Sequence, residues 1–171
     1  MDICGPYPLT QRTSKYLLTF ICHFTRYAGA ILVPDMSAET CALAYAANVI
    51  ARPGTGSILV TDQGRSFMSA LFKETCKILG IKQMKSSAYH AMDQGAIERY
   101  HKTMNQGLNH YVNASVTNWD THIPFYLMAY QATPHDTSGY SPYYLLHGRE
   151  MILPTSKHLK AKLAPQHRET E

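Results

Sequence analysis

The chain has 171 residues, 16 of them Lys or Arg and 12 Asp or Glu, for a formal charge of +4. That length suits one domain, which buries about 70% of its unfolded surface and so needs no disulfide or zinc to fold. A content of 45% hydrophobic and 16% charged residues excludes a disordered chain.

No apolar run approaches the ~20 residues of a membrane span, and no charged segment precedes an apolar one at the start, which argues against a secreted or membrane protein. The positive charge is small and spread along the chain, so charge alone does not mark a nucleic-acid binder. Cys4, Cys22, Cys41 and Cys76 form no C-x-x-C pair, which excludes a zinc finger of ordinary spacing. Buried reduced thiols are the expectation.

In chain order, Lys15 to Phe24 and Tyr27 to Val33 are β-type runs joined at Thr25-Arg26, predicting an antiparallel hairpin. Ser37 is a helix cap, and Ala38 to Ile50 suits the helix that follows. Arg52-Pro53-Gly54 ends it. Ser57 to Thr61 is a short unbroken apolar run, the pattern of a buried parallel strand. Ser69 to Leu79 predicts an amphipathic helix with Leu71, Phe72, Thr75, Cys76 and Leu79 on one stripe. Ile81 to Met84 is a further short strand, and Lys85 to Gly95 reads as loop.

From Ala96 the period is helical, with Ile97, His101, Met104, Leu108 and Val112 on one apolar stripe. Trp119, Ile123, Tyr126, Leu127 and Tyr130 form another, with Pro124 near its start. Tyr143 to Leu146 is one more helical turn. The order predicts an α/β fold: a mixed sheet with a hairpin edge and covering helices. Residues 155–171 contain Lys157, Lys160, Lys162 and Arg168 with Pro165. They read as a mobile basic tail, either a solvated terminus or an arm that grips DNA.

Three carboxylates occupy informative places. Asp2 stands at the start, before Ile3-Cys4-Gly5-Pro6. Asp62 ends the Ser57–Thr61 strand, where open α/β sheets carry their sites. Glu98 falls in the first turn of the helix expected from Ala96. Singly, each has a structural explanation, as a turn residue or a complement to the helix dipole.

Together they carry a resemblance. Asp2-Ile3-Cys4-Gly5-Pro6, Thr61-Asp62-Gln63-Gly64-Arg65-Ser66-Phe67 and Tyr89-His90-Ala91-Met92-Asp93-Gln94-Gly95-Ala96-Ile97-Glu98-Arg99 resemble the three signature blocks of retroviral and gypsy-type retrotransposon integrase catalytic cores. Between Asp62 and Glu98 lie 35 residues, the spacing for which that family's Asp, Asp, Glu motif is named. Trp119, Ala129-Tyr130 and Ser141-Pro142-Tyr143-Tyr144-Leu145-Leu146-His147-Gly148-Arg149 resemble its downstream pattern.

The resemblance implies a core over residues 1–154 with an RNase H-like fold and a mixed five-stranded sheet, its first strand truncated at the N-terminus. It also implies Asp2, Asp62 and Glu98 as catalytic residues and ligands of two Mg²⁺ or Mn²⁺ ions, hard cations that prefer oxygen donors. DNA, both element ends and target, is the implied partner, with 3′-end processing and strand transfer as the reactions. A homo-oligomer in the full-length context and a nuclear location go with that reading.

Glu98, Lys102, Asn105 and Asn109 fall on one helix flank at about 100° per residue, with Arg99 further round. In the family a Lys one turn past the Glu contacts DNA, and Lys102 has that place; a Glu98–Lys102 ion pair is the structural alternative. The loop 86–95 would be a flap hinged at Gly95, with His90 in it as a tempting but disfavoured metal ligand. Asn113-Ala114-Ser115 matches a glycosylation sequon by chance.

Ala91 and Met92 stand where the family has Pro and Gln, and Cys22 where gypsy-type relatives carry Asp. Only Met1 precedes the first Asp, and the family's zinc and C-terminal DNA-binding domains are missing. The chain thus reads as an isolated core: an active nuclease and polynucleotidyl transferase, or a truncated or domesticated DNA-binding or protein-interaction module. A transposase or resolvase of the same fold fits the Gly148-Arg149 block less well.

Overall fold

The computed structural model describes residues 1–86, 91–109 and 117–154, without the side chains of 91–94 and 109. The expected hairpin is β2 (Tyr16–Ile21) and β3 (Ala28–Val33), antiparallel with Leu18 opposite Ile31. Its loop is wider than the expected Thr25-Arg26 joint. The Cys22 amide donates to the Tyr27 carbonyl at 2.8 Å, and Arg26 takes a left-handed φ of 58° inside the turn.

Strand β1 (Asp2–Cys4) pairs antiparallel with β2, Asp2 opposite Thr19. Gly5 leaves β1 at φ 128°, where a β-carbon would stand 2.7 Å from the Lys15 carbonyl oxygen; only glycine fits there. β4 (Ile58–Thr61) and β5 (Lys82–Lys85) pair in parallel. The five strands form a three-stranded and a two-stranded ladder. The Met1 amino group links them by donating to the Val60 carbonyl at 2.8 Å.

Successive residues of β2 point to opposite faces of the sheet. Leu18 packs with Val33, Tyr45, Phe67 and Phe72 on one side. Leu17 packs with Ala30, Tyr100, Met104 and Trp119 on the other. Both faces are therefore covered by helices, as the α/β reading requires.

On the first face, Ser37 caps α1 (Ala38–Tyr45) by accepting from the Thr40 amide, and the helix continues through a π turn to Ile50. A short α2 (Arg65–Met68) leads into α3 (Ala70–Ile78), capped by Ser69. Of the stripe expected on α3, Phe72 and Cys76 are buried while Leu71 is half exposed. That helix rests on α1 along a narrower seam than the periodicity implied.

On the second face lie α4 (Ala91–Asn109), α5 (Trp119–Ala132) and α6 (Pro142–His147). Gly148, at φ 70°, closes α6 with a left-handed cap.

Three expectations need correction. Helix α4 starts at Ala91 rather than Ala96, because good helix formers flank Gly95 and the following turns bury Ile97, Tyr100 and Met104. Gly95 is therefore inside a helix rather than a hinge, and Glu98 stands about two turns in, beyond the reach of the first-turn dipole. Ile58 of β4 is 55% exposed, because the strand's free side fronts a cavity. Of the cysteines, all free thiols, Cys41 and Cys76 are buried, Cys4 is half-buried and Cys22 is exposed.

The rest of the expected flap, His90, Val112, the sequon at Asn113 and the tail 155–171 lie outside the described residues. Among the described residues, no helix is long and apolar enough to cross a membrane.

Candidate active site

A cavity of about 500 Å³ opens between the two ladders and the start of α4. Asp2, Asp62 and Glu98 all line it, with Met1, Thr61 and Ser86 nearby and an apolar wall that includes Phe20, Ile21 and Leu59. Each acid arrives on a different element. Asp2 opens β1 at the ladder's end. Asp62 follows the last residue of β4, where its Oδ1 accepts from the Gly64 amide at 3.1 Å and shapes the turn into α2. Glu98 projects, exposed, from α4.

Asp2 is the most constrained of the three. Its Oδ1 accepts from the Ile3 amide at 2.7 Å. Its Oδ2 lies 3.8 Å from His101 Nδ1. The other ring nitrogen, Nε2, is 2.7 Å from Thr19 Oγ1 and 3.1 Å from Cys4 Sγ. The Thr19 hydroxyl also reaches the Asp2 carbonyl at 3.0 Å. Burial holds His101 below the usual imidazole range, opposed by Asp2, reinforced by the Met1 ammonium and opposed again by Glu98. Burial, assisted by Asp2, pushes the Cys4 thiol up to about 11.

Met1 tests the electrostatic character of this corner. Burial lowers its ammonium to about 6, while Asp2 and then Asp62 pull it back up. The amine thus sits in the field of two of the three carboxylates and is largely uncharged at neutral pH. Oxygen-only, anionic donors on one cavity wall suit a hard divalent cation. Among the described residues, however, no group of three or more His, Cys, Asp or Glu side chains is gathered closely enough to hold a metal ion. The three acids share a cavity without closing on a point.

The expected DNA flank is polar and open. Arg99, Lys102 and Asn105 are exposed along α4 beside Glu98. Asn105 Oδ1 accepts from the Tyr7 hydroxyl at 3.1 Å, and no Glu98–Lys102 ion pair is present among the described residues. The Asn109 side chain lies outside them.

Sequence reasoning missed His101 as a polar partner and placed it on an apolar stripe. The signal was available: His101 is three residues past Glu98, one helical turn along the same side. Thr19 and Cys4 carried no such signal, since only the β1–β2 register brings them to the ring.

Residues 1–91 match the family of the Integrase core domain. The chain is 32% identical over 154 residues, 90% of its length, to the retrovirus-related Pol polyprotein from transposon 412 of Drosophila melanogaster, of which it spans 12%. It is 24% identical over 161 residues to the gypsy retrotransposon integrase-like protein 1 of Bos taurus, spanning 32% of that protein.

Among solved structures, the HTLV-2 integrase catalytic core domain in complex with magnesium superposes with a TM-score of 0.69 at 18% identity, covering 85% of this chain and 94% of that one. The catalytic core domain of BIV integrase gives 0.67 at 20% identity, covering 94% and 96%. These likenesses establish the RNase H-like fold. Together with the family match over more than half of its residues, they identify the chain as a member of the integrase core domain family.

Proposed function

We propose that residues 1–154 are a DNA-acting polynucleotidyl transferase and endonuclease core, with Asp2, Asp62 and Glu98 as its catalytic carboxylates. The observation that carries this reading is that these three acids, from three separate elements, line one cavity. They would hold two divalent cations, Mg²⁺ or Mn²⁺, which when bound supply Lewis-acid activation of an attacking oxygen and charge neutralisation of the leaving one.

The chain's own residues orient and bind. The Ile3 amide constrains the Asp2 carboxylate, the Thr19 hydroxyl its backbone carbonyl, and the Gly64 amide constrains Asp62. Arg99, Lys102, Asn105 and Asn109 offer donors to a DNA backbone along α4. No side chain forms a covalent bond to DNA. Water attacks the phosphodiester in 3′-end processing, and the freed 3′-hydroxyl attacks target DNA in strand transfer. Assembly as a homo-oligomer and a nuclear location belong to the same proposal.

The test is a labelled element-end duplex incubated with purified protein and Mg²⁺ or Mn²⁺. The parent is expected to nick or join it, and Asp62→Asn and Glu98→Gln to lose that activity. A parent that binds the duplex without cutting it, under either ion, overturns the enzymatic reading in favour of a non-catalytic DNA-binding module.

A further inference from the structure

We propose that the outer edge of β5 is a docking site for an extended acidic peptide segment, which adds as a further strand beside Gln83 and Lys85. β5 pairs with β4 alone. The Lys82 amide donates to the Ser57 carbonyl at 3.0 Å, and the Ser86 amide to the Thr61 carbonyl at 2.8 Å. Backbone groups alternate in direction along a strand, so Lys82, Met84 and Ser86 turn theirs toward β4 while Gln83 and Lys85 turn theirs outward. Among the described residues, no backbone group pairs with Gln83 or Lys85 on that side. Such a row of unpaired groups is a template for another strand.

A cleft of about 510 Å³ lies between this edge and α3. Buried Cys76 and Ile81 belong to its floor. Four lysines line it, Lys73 and Lys77 from α3 and Lys82 and Lys85 from β5, and no Asp or Glu does. All four are exposed, and among the described residues only Lys77 has an acidic partner, Glu74 at 3.3 Å. The cleft shares no lining residue with the cavity of the three acids.

Charge and backbone together select the occupant. Four cations repel a second copy of the same edge and attract carboxylates. The outward N–H and carbonyl groups match an extended main chain, the mode in which a peptide adds a strand to a sheet. A DNA duplex would satisfy the lysines but not these groups. The edge is also held in place beforehand. Gln83 Nε2 donates to the Phe67 carbonyl at 2.9 Å and to the Thr61 hydroxyl at 3.2 Å, so binding orders little on the protein's side.

The probe is a fluorescein-labelled peptide of about eight residues, alternating Glu and Val and capped at both ends, titrated against the full chain by anisotropy. The same peptide N-methylated at every residue keeps the charge and loses its donors. Lys85→Gln removes a charge and keeps the outward N–H. Lys85→Pro removes both, at an edge position where proline is tolerated. Lys73→Glu reverses a charge on the α3 wall. Thermal unfolding of each variant is recorded beside the titration.

The parent is expected to bind the peptide, and Lys85→Gln and Lys73→Glu to bind it about twofold to fivefold more weakly. Lys85→Pro should lose a further threefold to tenfold, roughly, relative to Lys85→Gln, and the N-methylated peptide should bind the parent about tenfold more weakly. A parent that does not bind the peptide overturns the inference and leaves the lysines as guards against edge pairing. Equal affinity for the N-methylated peptide overturns it as well, because charge alone then suffices, and that comparison needs no variant to fold. So does a labelled DNA duplex whose affinity falls in Lys73→Glu as much as the peptide's, which assigns the lysines to a nucleic acid instead.

Discussion

The indole N–H of Trp119 donates to the Pro8 carbonyl at 2.7 Å, bridging 111 residues and tying the first turn of α5 to the segment that follows β1. The ring also lies 5.0 Å from that of Tyr7 and is almost fully buried. Trp119→Phe leaves the Pro8 carbonyl without this donor and a smaller ring in the site. The expected loss is about 1–3 kcal/mol of unfolding free energy, read from urea midpoints at unchanged slope.

Two glycines of α4 respond to alanine in opposite directions. At Gly107 a new β-carbon would stand 2.9 Å from two ring carbons of Tyr126, so the α4–α5 contact must open. Gly107→Ala is expected to cost about 1–3 kcal/mol. At Gly95 the nearest atom is a terminal nitrogen of Arg99 at 3.1 Å, the free end of a flexible side chain. Gly95→Ala should therefore gain about 0.5–1 kcal/mol from helix propensity. Thermal or urea unfolding of the two variants checks the signs.

Alkaline pH should unfold the protein ahead of any chemical damage. Burial pushes the Tyr7 and Tyr45 hydroxyls up to about 12 and raises the Tyr100 hydroxyl well above the usual range. Unfolded tyrosines ionise near 10. Above that pH the unfolded chain gives up protons that the folded chain keeps, so stability falls with rising pH. It is complete below about pH 10 and drains away through pH 12. Urea midpoints between pH 8 and 11 should be flat and then decline, and Tyr100→Phe should blunt the decline.

Removing one phosphate-contacting cation reduces the salt dependence of DNA binding by a fixed amount. For Lys102→Ala, the slope of log affinity against log salt should fall by about 1, with weaker binding to all sequences alike. Lys77, which pairs with Glu74 at 3.3 Å on α3, is the comparison site. Lys77→Ala should leave the slope unchanged. Fluorescence anisotropy over a salt series distinguishes the two, and an unchanged slope for Lys102→Ala removes that residue from the DNA surface.

The sequence by itself determined the elements whose signals are local. The hairpin of β2 and β3 follows from two β-type runs, and the start of α1 from Ser37 as its cap. The family was legible as well, because three ordered blocks and the interval from Asp62 to Glu98 are properties of order along the chain.

Tertiary structure decided the rest. Helix α4 runs back to Ala91 through Gly95, because the helix formers beside it and the burial of its later turns outweigh one glycine. Leu71 and Ile58 face outward although their runs are apolar, since burial depends on what packs opposite and not on hydrophobicity alone. The setting of Asp2 is the clearest case. His101 approaches its carboxylate only because the pairing of β1 with β2 and the seat of α4 bring residues about a hundred positions apart together. A contact across that separation is fixed by packing, whose information is spread over the whole core and is absent from any short stretch of chain.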